Sequence, residues 1–293
     1  MFNRIMVATD LSPASFAVVS SISELKVFGV KECLLVQCLG YMESTSMNMP
    51  HMKNLLLSVI SDQKKLLEDQ GFETSVEIVA GLPQTEVNRI AEARDCSLIV
   101  VGSHGYSFSR EILLGSVATQ IIHYAKKPVL IIRLKKQIHK AEIKIENQQY
   151  RFSEHILFPT DFSENADYAF EYVKYMVKFG VKRITLVHVQ DKHKIDPHLI
   201  YQLEEFNRID MERLEKMKQQ LEKENKTNIK IHIPYGVPAE EILSIIQKED
   251  VQMVVMGSQG RSYFQEFLLG SVSHAIARMS QAPVMLIPVR KTK

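Results

Sequence analysis

The sequence contains few cysteines, and they are not arranged as a disulfide framework or a zinc site requires. The 3 cysteines are Cys33, Cys38 and Cys96, an odd number without a Cys-x-x-Cys pair. Disulfide-rich domains and zinc sites use paired, closely spaced cysteines, so the pattern disfavours both. The 10 histidines show no His-Glu-x-x-His spacing either. We therefore expect reduced cysteines in or near the core.

A strong charge imbalance and long apolar runs are also missing. The formal net charge is +2 at pH 7, which gives no indication of binding to nucleic acid or to a membrane surface. No uninterrupted apolar stretch reaches membrane length, and the apolar stretch at the N-terminus is too short for a signal peptide. We expect a cytoplasmic, globular protein with no nucleic acid or membrane partner.

A glycine-rich loop follows a predicted buried strand in the second half. Residues 251–256 are mostly apolar, include three β-branched valines and show no alternation, as in strands buried on both faces of a parallel sheet. After them come Gly257, two residues, Gly260, nine residues, and Gly270-Ser271. Glycine allows sharp turns and a close approach of backbone N–H groups to a ligand. The helix predicted after Ser271 adds unpaired N–H groups and the positive end of its dipole, so the loop predicts a phosphate site.

The same spacing occurs 155 residues earlier, at Gly102, Gly105, Gly115 and Ser116. Strands followed by Gly-x-x-Gly, and helices that start with Gly-Ser, occur separately in many α/β proteins that bind nothing at them. Two copies in register make chance a poor explanation.

An aspartate follows the first predicted strand of each half, at Asp10 and Asp161. Open α/β sheets bind ligands at the carboxyl ends of their strands, so we favour a ligand role for both aspartates. The alternative is that they only cap the following helices, a role for which Ser12 and Ser163 are equally good candidates.

Strands and helices alternate in the same order in both halves. The predicted strands are residues 4–9, 32–38, 74–80, 97–101 and 128–133, and then 155–160, 183–189, 228–235, 251–256 and 283–289. This alternation predicts an α/β fold with a doubly wound parallel sheet in each half. We predict domains at 1–135 and 153–293, joined by a polar linker at 136–152.

The two halves differ most after their second strands. In the first half, the methionine-rich residues 40–52 are predicted as a loop and residues 53–70 as a helix. In the second half, Pro197 is predicted to start a long helix that ends near Lys223. The methionines fit packing better than ligation.

The assembled motifs resemble those of the universal stress protein family. They are an aspartate after strand one, Gly-x-Pro after strand three, and Gly-x-x-Gly, nine residues, Gly-Ser after strand four. Because the resemblance covers both halves, the chain looks like a tandem, two-domain member of the ATP-binding branch. The segment PTDFSENA at 159–166 is similar to the ATP-binding archetype. The resemblance implies two five-stranded parallel sheets of order 3-2-1-4-5, an adenine nucleotide alpha hydrolase-like fold.

The resemblance also implies a ligand, ATP or AMP, with Mg²⁺ or Mn²⁺ held through the phosphates. The matching positions on the adenosine side are Ala8, Thr9, Asp10, Cys38 and Val101 in the first half, and Pro159, Thr160, Asp161, Val189 and Met256 in the second. The matching positions on the phosphate side are Gly102, His104, Gly105, Gly115, Ser116 and Val117, and Gly257, Gln259, Gly260, Gly270, Ser271 and Val272. Cys38 departs from the usual aliphatic residue, and Gln259 stands where the first half has His104. Whether ATP or AMP binds, and whether one or both sites fill, stays open.

Family members pair through their fifth strands. In a tandem chain this implies an intramolecular pseudo-dimer of the two halves, which hides two sheet edges. A further homodimer is left open.

Three functions compete. The first is a nucleotide-dependent sensor or regulator in the stress response, whose loop conformation a protein partner reads. The second is a slow, metal-dependent ATP hydrolase in which His104 or an aspartate positions water. The sequence lacks the GxxxxGK[ST] cradle and the convergent acid cluster of phosphotransferases, so we predict at most a weak ATPase. The third is a non-nucleotide small-molecule binder or an interaction scaffold. A dinucleotide dehydrogenase fits poorly, because neither half has GxGxxG after its first strand.

Overall fold

The computed structural model describes residues 1–40, 50–104, 114–134, 136–139, 142–145, 149–196, 198–260 and 269–290. The chain forms two compact units, Met1–Tyr150 and Arg151–Lys293. Each unit is considered separately below.

Buried apolar strands form the centre of the first unit. Ile5, Met6 and Val7 in the first strand are fully buried, since helices cover both faces of a doubly wound parallel sheet. The strands of this unit are β1 (Arg4–Thr9), β2 (Glu32–Leu39), β3 (Glu73–Ala80), β4 (Leu98–Gly102), β5 (Val129–Ile132), β6 (Lys136–His139) and β7 (Glu142–Ile145). The last two pair antiparallel with each other, within the segment predicted as a linker.

Four helices are described in the first unit: α1 (Pro13–Ser20), α2 (Pro50–Asp69), α3 (Pro83–Ala93) and α4 (Ser116–Tyr124). A 3₁₀ helix, Ser23–Phe28, follows α1. Proline is the first residue of α1 and α3, where its missing N–H costs no helical hydrogen bond. Helix α2 starts at Pro50, three residues before the predicted start.

The second unit repeats this arrangement. Its strands are β8 (Ile156–Pro159), β9 (Arg183–Val187), β10 (Gln190–Asp191), β11 (Asn228–His232), β12 (Tyr235–Gly236), β13 (Met253–Gly257) and β14 (Val284–Ile287). Its described helices are α5 (Glu164–Lys178), α6 (Lys192–Ile195), α7 (Leu203–Glu224), α8 (Pro238–Lys248) and α9 (Ser271–Met279). A 3₁₀ turn, Ile200–Gln202, precedes α7.

The strand pairings define a five-stranded parallel sheet in each unit. In the first unit β1 pairs with β2 and β4, β2 pairs with β3, and β4 pairs with β5. In the second unit β8 pairs with β9 and β13, β9 pairs with β11, and β13 pairs with β14. The predicted α/β, doubly wound class is confirmed. In both sheets the central first strand ends beside the second and fourth strands, at the edge where ligands bind in open α/β folds.

Two predicted elements of the second unit have different bounds in the structure. The long helix begins at Leu203, directly after the 3₁₀ turn Ile200–Gln202, and its predicted start, Pro197, lies outside the described residues. The predicted strand 228–235 is interrupted near Pro234, which has no N–H to donate. The chain resumes at β12, which pairs with β10 as a separate two-stranded sheet.

Candidate nucleotide site

The turn after β8 positions the first predicted ligand residue of the second unit. Thr160 Oγ1 accepts a hydrogen bond from the N–H of Phe162 at 3.0 Å, and Asp161 Oδ1 accepts one from Ser163 at 3.1 Å. These bonds stabilise a left-handed conformation at Phe162 (φ 57°). Ser163 Oγ then accepts from the N–H of Ala166 at 3.2 Å and caps α5. Serine is therefore the helix cap, and the aspartate stabilises the turn before it.

The first unit builds the same turn. Thr9 Oγ1 accepts from the N–H of Leu11 at 3.0 Å, and Asp10 Oδ1 accepts from Ser12 at 3.0 Å. Leu11 is left-handed (φ 58°), and Ser12 Oγ caps α1 by accepting from Ser15 at 3.2 Å. The two aspartates thus occupy equivalent positions, each at the carboxyl end of the central strand of its sheet.

Close contacts explain two of the glycines in the second loop. A β-carbon added to Gly257 would lie 2.5 Å from Oδ1 of Asn165. At Gly260 an added β-carbon would lie 2.5 Å from Oδ2 of Asp161. Any other residue would push these side chains away, so the glycines let the aspartate turn and the loop meet.

The ends of this loop are held together by backbone hydrogen bonds. The N–H of Ser258 donates to Ile287 at 2.8 Å, and the N–H of Gly270 donates to the carbonyl of Ser258 at 2.8 Å. Gly270 is the N-cap of α9 and makes no side-chain capping hydrogen bond. The start of α9 therefore lies against the start of the loop, with its first N–H groups and positive dipole end at the same edge.

These elements line one cavity of about 660 Å³. The structure brings together in its wall all the residues predicted for the second half: Pro159, Thr160, Asp161, Val189, Met256, Gly257, Gln259, Gly260, Gly270, Ser271 and Val272. A cavity of this size, lined by both apolar and polar side chains, can hold a small molecule.

A further wall of the cavity was not predicted. It comes from the end of β9, from β10 and from α6 and α7, and it includes His188, Gln190, Asp210 and Arg213. Asp210 is buried and accepts from Gln190 Nε2 at 3.0 Å and from Arg213 Nη1 at 3.1 Å, while His188 Nε2 lies 3.4 Å from its carboxylate. The spacing of Asp210 and Arg213 on one predicted helix was visible in the sequence, but nothing in it showed that this face points at the site.

The predicted residues of the first unit have equivalent positions in its sheet. Thr9 and Asp10 lie at the end of β1, Cys38 near the end of β2, and Gly102 at the end of β4. The others that the structure describes are Ala8 in β1, Val101 in β4, His104 after β4, Gly115 as the N-cap of α4, and Ser116 and Val117 in its first turn. Gly105 lies outside the described residues.

The first loop closes through the same kind of backbone bond, but its side-chain contacts differ. The N–H of Gly115 donates to the carbonyl of Ser103 at 2.8 Å. The Ser103 hydroxyl lies 2.9 Å from His104 Nδ1, a hydrogen bond within the loop itself. Burial, and then the nearby carboxylate of Glu86, raise the pKa of the Cys38 thiol to about 11, so this thiol is protonated at neutral pH.

In the part of the chain that the structure describes, no group of three or more histidine, cysteine, aspartate or glutamate side chains is placed to hold a metal ion. Among the described helices, none combines the length and apolar character needed to cross a bilayer.

Comparisons with known proteins agree with this fold and with its repetition in the two halves. A family model described as "Universal stress protein family" matches residues 1–133 and 153–288. The universal stress protein MJ0577 of Methanocaldococcus jannaschii is 33% identical over 150 residues, which cover 45% of this chain and 93% of that protein. A universal stress protein of Mycolicibacterium smegmatis is 28% identical over 221 residues, 71% of this chain and 69% of that protein.

The crystal structure of a universal stress protein from Archaeoglobus fulgidus is similar over nearly the whole length. It has a TM-score of 0.76 and 25% sequence identity, with 98% of each chain covered. The earlier resemblance is confirmed in both halves. The chain belongs to the universal stress protein family, as a tandem of two matched segments.

Proposed function

We propose that the protein is an adenine-nucleotide-binding stress-response protein that acts as a nucleotide-dependent sensor or regulator. The observation that carries the proposal is the cavity of the second unit. There the turn of Asp161, the end of β9, the glycine loop and the first turn of α9 line the same space. Membership of the universal stress protein family supports the stress-response part. A cytoplasmic location and an unidentified protein partner belong to the same proposal.

The chemistry of the cavity supports a ligand with an anionic end and a neutral end. The N-terminal turn of α9 and the glycine backbone favour phosphate, because they offer N–H donors and a positive dipole end. The cavity is also lined by the apolar side chains of Ile195, Leu199, Phe206 and Ile209, which fit the faces of a base. Asp161 lines the cavity beside Gly260, and a carboxylate there suits a ribose hydroxyl. ATP and AMP both have an anionic phosphate end and a neutral base end. Mg²⁺ or Mn²⁺ would enter with the phosphates.

Calorimetric titration of ATP and AMP, with Mg²⁺ present, tests the proposal. The variants are Gly270→Val and Gly115→Val, with Ala93→Val, at the exposed end of α3, as a control for added bulk. A β-carbon at Gly270 would already lie 3.4 Å from Cα of Gln259, so valine fills the start of the loop. We expect each loop variant to lose one site and the control to lose none.

Phosphate release measured in the same samples separates a sensor from a slow ATPase. Release that disappears with the loop variants would favour the hydrolase. If the wild-type protein binds neither nucleotide, the proposal is wrong and a non-nucleotide binder or scaffold replaces it.

A further inference from the structure

Asn165 connects three elements of the second unit. Its side chain is 8% exposed. Oδ1 accepts a hydrogen bond from the N–H of Gln259 at 3.1 Å, and Nδ2 donates one to the carbonyl of Ile287 at 3.3 Å. The side chain therefore joins the start of α5 to the glycine loop and to the end of β14. The missing β-carbon of Gly257 leaves room for it.

Ser273 makes a second contact with the same loop. It lies in the first turn of α9, is 4% exposed, and donates from Oγ to the carbonyl of Gly257 at 2.9 Å. The loop start is thus held by one side chain from the helix after β8 and by one from the helix after the loop. We call Asn165 and Ser273 the loop anchors.

The first unit has alanine at both anchor positions. When the two halves are aligned on their shared motifs, Ala14 is equivalent to Asn165 and Ala118 is equivalent to Ser273. A methyl group can form neither hydrogen bond. The backbone bonds are shared, since Ser103 donates to Ile132 at 2.9 Å just as Ser258 donates to Ile287 in the second unit. The loop anchors are therefore a side-chain difference between two loops whose closing backbone hydrogen bonds match.

We infer that the second half is the higher-affinity nucleotide site, and that the loop anchors make it so by holding the start of the glycine loop, residues 257–260, in position before the ligand arrives. A preformed loop loses less conformational freedom on binding than one that the ligand must order. Asn165 and Ser273 act as positioning residues, because each side chain hydrogen-bonds to the backbone of the loop. The consequence is sequential filling, with the second half occupied at lower nucleotide concentration than the first. This inference rests on the proposed function.

The test compares Asn165→Ala, Ser273→Ala and a matched control in the intact protein. Asn225→Ala is the control, because Asn225 also makes two backbone hydrogen bonds, accepting from Lys226 at 2.8 Å and donating to Val177 at 3.3 Å, and it does not line the cavity. ATP and adenosine compete with a fluorescent ATP analogue, which measures weak binding as well as strong. Gly115→Val and Gly270→Val assign the stronger site to a half, and thermal unfolding of each variant measures its stability.

We expect Gly270→Val to remove the stronger ATP site and Gly115→Val to leave it. Loss of a buried hydrogen-bond partner in either anchor variant should weaken that site for ATP about tenfold. Adenosine should bind within about twofold of wild type, since it has no phosphate for the loop to hold. Asn225→Ala should lower the unfolding temperature less, because Asn225 is exposed, and should leave both affinities unchanged.

Two results would overturn the inference while leaving the proposed function in place. One is that Gly115→Val removes the stronger site. The other is that Asn165→Ala weakens ATP and adenosine equally, which indicates a purely structural role. Absence of any nucleotide binding by the wild type would instead refute the proposed function, and the inference with it.

Discussion

A β-carbon on Gly260 would lie 2.5 Å from Oδ2 of Asp161, so the glycine loop and the aspartate turn are in direct contact. This separation is far shorter than a normal contact, and either the loop or the carboxylate must move if a side chain is added. The spacing of Gly-x-x-Gly is therefore tied to the position of the aspartate, two features that sequence analysis treats as separate motifs.

Gly260→Ala should separate the loop from the turn and weaken nucleotide binding to the second unit more than tenfold, while the first unit is unaffected. The measurement is two-site calorimetry with ATP, alongside urea unfolding. The double variant Gly260→Ala/Asp161→Ala removes the clash and should recover stability without recovering affinity. Full affinity in the single variant would show that the contact has no part in binding.

A buried glutamine in the first unit gives the second prediction. Gln63 of α2 is 0% exposed. Its Oε1 accepts from Thr9 Oγ1 at 2.8 Å, and its Nε2 donates to Ser15 Oγ at 3.1 Å. The side chain therefore ties α2 to both ends of the aspartate turn.

Gln63→Leu should lower the free energy of unfolding by about 1–3 kcal/mol, because it leaves two buried hydroxyl groups without this partner. Urea unfolding measures the change, and Gln219→Leu on the exposed face of α7 is the control. An unchanged stability in Gln63→Leu would contradict the prediction.

His155 gives the third prediction. It is fully buried, and its ring lies 2.8 Å from Thr185 Oγ1 and 3.0 Å from the carbonyl of Glu249. Burial, and then the charge of Arg183, lower the pKa of His155 below its usual 6.5, although the nearby Glu249 acts in the opposite direction. Burial alone would raise the pKa of the Glu249 carboxyl, but hydrogen bonding from Thr185 and the charges of His232 and Lys230 outweigh it and hold that pKa below 4.5.

The pH dependence of stability follows from the difference in proton binding between the folded and unfolded chains. Because the unfolded chain takes up a proton on His155 at a higher pH than the folded chain, stability is full above pH 6.5 and falls as the pH drops below it. The Glu249 contribution is lost only in a lower window, below pH 4.5. Urea unfolding between these two values should show a fall in stability for the wild type and a smaller fall for His155→Gln. Equal slopes for the two proteins would rule out this role of His155.

The success and failure of sequence reasoning here have physical causes. Strand β1 has its predicted bounds, because an uninterrupted apolar run between polar residues leaves few alternatives. The glycine spacing was visible because it is local to the chain. Asn165 and Gln63 were missed because a polar side chain on an amphipathic helix is expected at the surface, and only the packed structure shows which ones turn inward. The pairing of Gln190 with Asp210 was missed for a related reason, since it joins residues on different elements whose relative rotation the sequence does not determine.

Asp210 gives the last prediction. Its carboxylate is 8% exposed and is shared by Gln190 from β10 and Arg213 from the next turn of α7, so it fixes α7 against the strand that lines the cavity. Asp210→Ala leaves both donors without this acceptor and should lower the free energy of unfolding by about 1–3 kcal/mol. Since the same wall faces the ligand, affinity in the second unit should fall several-fold, with the first unit unchanged. Glu212→Ala is the control, because Glu212 lies on the exposed face of the same helix and pairs with Arg208.

A double-mutant cycle of Asp210→Ala with Arg213→Ala should give a coupling energy of about 0.5–3 kcal/mol. A coupling energy of zero would mean that the two side chains stabilise the wall independently.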